Sequence, residues 1–103
     1  LQKEPEDGKI DFVGEYIKDE LLARRMSQKE LSLLTGIAAP ILNDIIKAKR
    51  NITAEQSILI GRALGINDDF FYEIQKQYDL DKARLSKKVL NQSFLLESRI
   101  TAQ

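Results

Sequence analysis

The sequence predicts an all-α protein, a small bundle of five short helices with a possible sixth at the C-terminus. Three observations carry that expectation. Apolar residues recur at helical spacing, as in Val13, Ile17 and Leu21. Ser27-Gln28-Lys29-Glu30 and Thr53-Ala54-Glu55-Gln56 both have the form of a capping box, in which a hydroxyl and a carboxylate or amide three residues on satisfy each other's backbone amides. Gly36 and Gly65 stand where a helix ends in a left-handed residue.

Taken in order, residues 1–11 read as a flexible polar tail holding Pro5 and Gly8. The first helix begins near Val13, with Leu22 beside its apolar face, and Arg24 and Arg25 suit its negative C-terminal pole. The second starts at the Ser27 box, buries Leu31 and Leu34, and stops at Gly36. Pro40 fits a first turn and no later one, so the third helix should run from about Ala39 or Pro40 to Ala48. Lys49-Arg50-Asn51 reads as a turn, and the Thr53 box opens a fourth helix with Ile58, Leu59, Ala63 and Leu64. Asn67 or Asp68 should cap a fifth, whose stripe is Phe70, Phe71, Ile74 and Tyr78. Leu85, Val89, Leu90 and Phe94 share one further helix face with no clear cap at either end. The expected organisation is thus a tail over 1–11, a domain over 12–81 and a partly helical extension over 82–103.

At 103 residues the chain suffices for one domain, which would bury roughly 65% of its unfolded surface. It has neither cysteine nor histidine, which excludes disulfides, thiolate or imidazole metal sites and every nucleophile–imidazole pair. With no phosphate-cradling glycine loop either, the expectation is a protein that is not an enzyme and takes no cofactor and no metal. No stretch is long and apolar enough to span a membrane and no secretory signal is visible, so a cytoplasmic protein is expected; opening on Leu1, the chain reads as a piece or a processed form.

Net charge is zero, but its distribution is not even. Residues 1–22 hold three basic residues against seven acidic, and residues 51–81 two against six. Residues 23–50 hold six basic residues against two acidic, and residues 82–103 five against one. A polyanion would meet the second block, around the third predicted helix, and the last.

Residues 27–48 form the segment with a candidate function. Two short helices hinge at Gly36-Ile37, and Leu31, Leu34, Ile37, Leu42 and Ile45 would pack them together. That is the arrangement of a helix-turn-helix, whose first helix braces across phosphates while the second presents a polar side to the major groove. On spacing alone an ordinary αα-hairpin fits equally well.

Longer motifs favour the first. Ser27-Gln28-Lys29-Glu30-Leu31, Gly36-Ile37 and Lys49-Arg50-Asn51-Ile52-Thr53 closely resemble the Xre-like, or lambda-repressor-like, helix-turn-helix domains. Gly14-Glu15-Tyr16-Ile17 before Asp19-Glu20-Leu21-Leu22, Ile52-Thr53-Ala54-Glu55 before Arg62-Ala63-Leu64-Gly65, and Phe70-Phe71 before Gln75-Lys76-Gln77-Tyr78-Asp79-Leu80 resemble the HigA-type antitoxins. The similarity spans about residues 12–84. It implies a five-helix lambda-repressor-like domain, a homodimer on double-stranded operator DNA that represses its own operon and neutralises a partner toxin. The alternative is a protein-interaction module, or an Xre-like regulator without a toxin.

By the same resemblance the DNA-contacting positions are Gln28, Ala38, Ala39, Ile41, Asn43, Asp44, Lys47, Lys49 and Arg50. Ala38-Ala39-Pro40-Ile41 stand where relatives carry Ser or Thr and small polar residues, Lys47 replaces a common Asn, and Ala48 a common Gly. Ile41 can touch a thymine methyl, and Asn43 can pair with adenine N6 and N7. Asp44 repels phosphate and gains only from a cytosine amino group or a neighbouring arginine. Gln28 can donate to a phosphate beside the amides of a helix start, and Lys47, Lys49 and Arg50 form a backbone-contacting cluster.

Other features read as structural. Arg24 and Arg25 form a solvated helix end, and the Phe70–Tyr78 stripe is core. Asp68, Asp69 and Glu73 are first-turn acids expected from the helix dipole. Asp79-x-Asp81 lacks the glycine and glutamate of a calcium loop, and Glu15 with Asp19 has no pocket or base beside it.

Overall fold

A computed structural model describes residues 10–101, and among these residues every regular element is a helix. The expected tail over 1–11 therefore lies almost wholly outside the described residues. The helices are α1 (Val13–Arg24), α2 (Gln28–Thr35), α3 (Ala39–Ile46), α4 (Ala54–Leu64), α5 (Phe70–Arg84) and α6 (Lys87–Thr101). Helices α1 to α5 close around one core, in which Ile17, Leu31, Leu42, Ile45, Ile60 and Phe71 are almost wholly removed from water.

Local chemistry sets the helix ends. Thr53 and Gln56 form the complete reciprocal box at the start of α4. At α2 the box is half made: Ser27 Oγ accepts from the Glu30 amide at 3.0 Å, but the Ser27 hydroxyl, not its amide, reaches the Glu30 carboxylate. Gly36 and Gly65 end α2 and α4 in the left-handed region. Neither Asn67 nor Asp68 caps α5 through its side chain. Ser57, buried in α4, performs that role from another helix, accepting from the Tyr72 amide at 3.0 Å and donating to the Asp68 carbonyl at 2.8 Å.

Several faces are rotated from those the sequence predicts. Leu34 is 62% exposed, and Thr35 turns inward in its place, its hydroxyl donating to the Leu31 carbonyl. Leu22 is likewise exposed, and in α4 Ser57, Ile60, Gly61 and Leu64 face the core while Ile58 and Leu59 look outward. Runs of adjacent apolar residues leave the phase of a short helix open, and packing decides it. In the aromatic stripe Phe71 and Ile74 are buried, Phe70 sits half-buried edge-on to Phe71 and Tyr16, and Tyr78 is half-buried beneath Lys82. Tyr16 donates to Asp11 at 3.3 Å; burial, then that carboxylate, raises its phenol above the usual tyrosine range.

Arg24 is not a merely solvated helix end. It pairs with Glu20, and a guanidinium nitrogen donates to the Leu64 carbonyl at 2.9 Å, tying the end of α1 to the end of α4. Helix α5 runs past Asp81 to Arg84, and Ser86 then caps α6 by accepting from the Val89 amide at 3.2 Å.

Candidate nucleic-acid interface

Helices α2 and α3 pack against each other across the Gly36 reversal, as a helix-turn-helix requires. Ser32 Oγ donates to the Ile37 carbonyl at 2.6 Å and the Ile37 amide donates to Thr35 Oγ1, so the turn is held by side chains of the helix before it. Helix α3 begins at Ala38 with no side-chain cap, as the missing serine implies, and Pro40 lies in its first turn. It ends at Ile46, two residues short of the expected Ala48, because Ala48 takes φ 60° and breaks the helical path. The left-handed conformation costs an L-residue roughly 1–2 kcal/mol.

Burial fixes the outward side of α3. Leu42, Ile45 and Ile46 enter the core, so at about 100° per residue the opposite ridge consists of Pro40, Asn43, Asp44 and Lys47. Ile41 is half-buried and packs on the core, leaving only part of its side chain outside. Ala38 and Ala39 are exposed at the start of the helix. Lys49 and Arg50 follow in the exposed loop, with Arg50 Nε 4.0 Å from Asp44 Oδ2. Arg50 is thus the neighbouring arginine that Asp44 needs, and the pair lowers the negative charge this ridge turns outward.

Gln28 is the first residue of α2, exposed beside first-turn amides that point along the helix axis. An open groove of about 290 Å³ joins it to the ridge, lined by Phe12, Gly14, Glu15, Lys18, Gln28, Ile46 and Lys47. Gly14 lets α1 approach the end of α3 on one side of this groove, since a Cβ there would stand 2.0 Å from the Ile46 carbonyl oxygen. Of the nine predicted positions, the structure gathers Gln28 and Lys47 around one groove and sets Asn43 and Asp44 on the ridge beside it.

Two residues matter here that sequence reasoning did not single out. Lys18 adds a cation to the groove; it was hidden in an acidic stretch, although its four-residue spacing from Gly14 places both on one face of α1. Gln75, buried in α5, accepts from the Ile52 amide at 3.0 Å and donates to Asn51 at 3.2 Å and Asp79 at 3.0 Å. It pins the loop that carries Lys49 and Arg50. Nothing in the local sequence marks a glutamine for that role.

Among the described residues, no group of three or more His, Cys, Asp or Glu could hold a metal ion, and no helix is long and apolar enough to cross a membrane.

A family model described as helix-turn-helix matches residues 17–71. Among solved structures, the chain is similar to the Pseudomonas aeruginosa antitoxin HigA with the higBA promoter, at 30% identity and a TM-score of 0.69, over 74% of this chain and 84% of that one. It is also similar to a Pseudomonas aeruginosa protein in complex with its 18-bp operator DNA, at 28% identity and a TM-score of 0.71, over 82% of this chain and 94% of that one. A structure with a 28-bp operator gives 30% identity and a TM-score of 0.68, over 73% of this chain and 84% of that one. No curated protein matches the chain.

Proposed function

Because the chain belongs to the helix-turn-helix family and, within it, to the HigA-type antitoxins, we propose that it is the antitoxin of a toxin–antitoxin pair, a cytoplasmic protein that binds its own operator and represses its own operon. It acts by binding, not by catalysis. The observation that carries this reading is the outward ridge of α3 lying beside the start of α2, with Gln28 and Lys47 on one groove.

The work divides between the two helices. Gln28, the first-turn amides of α2, Lys47 and Lys49 hold backbone phosphates and set the register of the protein on the duplex. Asn43 reads adenine, and Pro40, with the uncovered part of Ile41, offers an apolar surface to a thymine methyl. Arg50 directs part of its charge to Asp44, so Lys47 is the stronger phosphate contact of the two. One short helix reads few base pairs, so two copies related by a two-fold axis place their α3 helices about 34 Å apart on successive turns of the major groove. A toxin is the second partner, as family membership implies.

The test is binding to the duplex that precedes the protein's own coding region, followed by fluorescence anisotropy across salt concentrations. Preference for that duplex over a scrambled one, with affinity falling steeply in salt, is the expected result. Equal, salt-insensitive binding to both would leave the chain a protein-interaction module.

A further inference from the structure

Asp44 is the only acid in α3, and it lies on the outward ridge, where a polyanion should find cations. It follows Asn43 by about 100° around the helix, while Leu42, Ile45 and Ile46 hold the other side in the core. Its side chain is 39% exposed, so whatever meets the ridge meets this carboxylate too.

The fold gives little reason for an acid here. Aspartate is a poor helix former, and within α3 it caps no helix start. Its pairing with Arg50 is between two exposed side chains, a kind of contact that contributes little to stability. Nor does Arg50 use the carboxylate up. At 4.0 Å the Nε–Oδ2 contact is an ion pair too long for a hydrogen bond, so it leaves the lone pairs to another donor.

Few donors line a major groove. Cytosine presents its N4 amino group and no acceptor, guanine presents two acceptors, thymine one, and adenine an acceptor beside its donor. A carboxylate can only accept. Cytosine is therefore the base it gains from, and guanine the one it most opposes. Asn43, which both donates and accepts, suits adenine.

We infer that Asp44 is a specificity-determining residue of the ridge, its carboxylate accepting from a cytosine amino group close to the adenine read by Asn43. Arg50 offsets the repulsion between this carboxylate and the flanking phosphates. The inference rests on the operator reading above and names a base within it. Lysines strengthen binding to every duplex, whereas Asp44 weakens binding to any duplex without the cytosine. Specificity is a difference of affinities, and part of it here comes from rejection.

The test is selection of bound duplexes from a randomised pool, by the wild type and by Asp44→Ala. The wild type should enrich a motif with a shared cytosine near an adenine, and Asp44→Ala should keep the adenine and lose the cytosine. In fluorescence anisotropy, exchanging that C·G pair for T·A should weaken the wild type about 5- to 150-fold and the variant hardly at all. Asp44→Ala should also bind a scrambled duplex more tightly than the wild type, with its thermal transition unchanged. Arg50→Ala should weaken binding to every duplex and keep the cytosine preference. A preference that survives Asp44→Ala, or a variant that binds scrambled DNA no better, overturns the inference while the enriched motif upholds the operator reading. Loss of the preference in Arg50→Ala overturns it as well, by assigning the reading to the guanidinium. A wild type that enriches no motif refutes the operator reading itself, and the inference with it.

Discussion

Helices α3 and α6 are both amphipathic, yet they stand in opposite situations. Leu42, Ile45 and Ile46 of α3 are sealed by α1 and α2, so only the polar ridge remains to meet another molecule. Val89, Leu90 and Phe94 of α6, and Leu85 just before it, stay exposed. An apolar stripe thus states that a face will be covered and is silent on whether the cover comes from within. The rest of the chain answers that question: the α1–α5 core closes without α6.

The sharpest way to break the contrast is to truncate each helix in turn. Leu42→Ala should cost about 2–5 kcal/mol, because the cavity lies between three packed helices and cannot collapse. Leu95→Ala removes an equal side chain from a bare side of α6 and should stay within about 0.5 kcal/mol. Urea denaturation of both variants checks this, and equal losses would mean that α6 is part of the core.

Next in size is Gln75→Ala. The Ile52 amide is left without its acceptor in a buried setting, a loss of about 1–3 kcal/mol. Amide exchange at Ile52 should quicken together with the fall in stability, since the loop following α3 depends on this side chain. Unchanged exchange would show that the loop holds its shape unaided.

The smallest effect has the opposite sign. Ala48→Gly relieves the positive φ directly after α3 and should stabilise the protein by roughly 1 kcal/mol, raising the Tm by about 4–8 °C. A lower Tm in a thermal scan would mean that the alanine methyl contributes more than the strain it brings.

These residues also mark how far the sequence could be read. The helix starts at Ser27 and Thr53 and the stops at Gly36 and Gly65 were legible because each is decided within four residues. The exposure of Leu34, Ile58 and Leu59 was not, because a short helix with adjacent apolar residues satisfies more than one phase until its neighbours are in place. Ser57 and Gln75 were illegible for a related reason: each serves a backbone group on a different element, 15 residues away for the Tyr72 amide and 23 for the Ile52 amide. On α3, the outward placement of Asn43 and Lys47 was legible from the helical repeat, whereas the pairing of Asp44 with Arg50 and the nearness of Lys18 to Gln28 needed the folded chain.

The outward ridge of α3 is the face proposed to meet DNA. It is tested most directly by measuring the salt dependence of operator binding for the wild type and for Lys47→Ala. Removing one phosphate-binding cation from each protomer should weaken binding to every duplex and flatten the slope of log affinity against log salt by about one unit per bound protomer. A Lys47→Ala protein with the wild-type slope and affinity would place the DNA on another face of the protein.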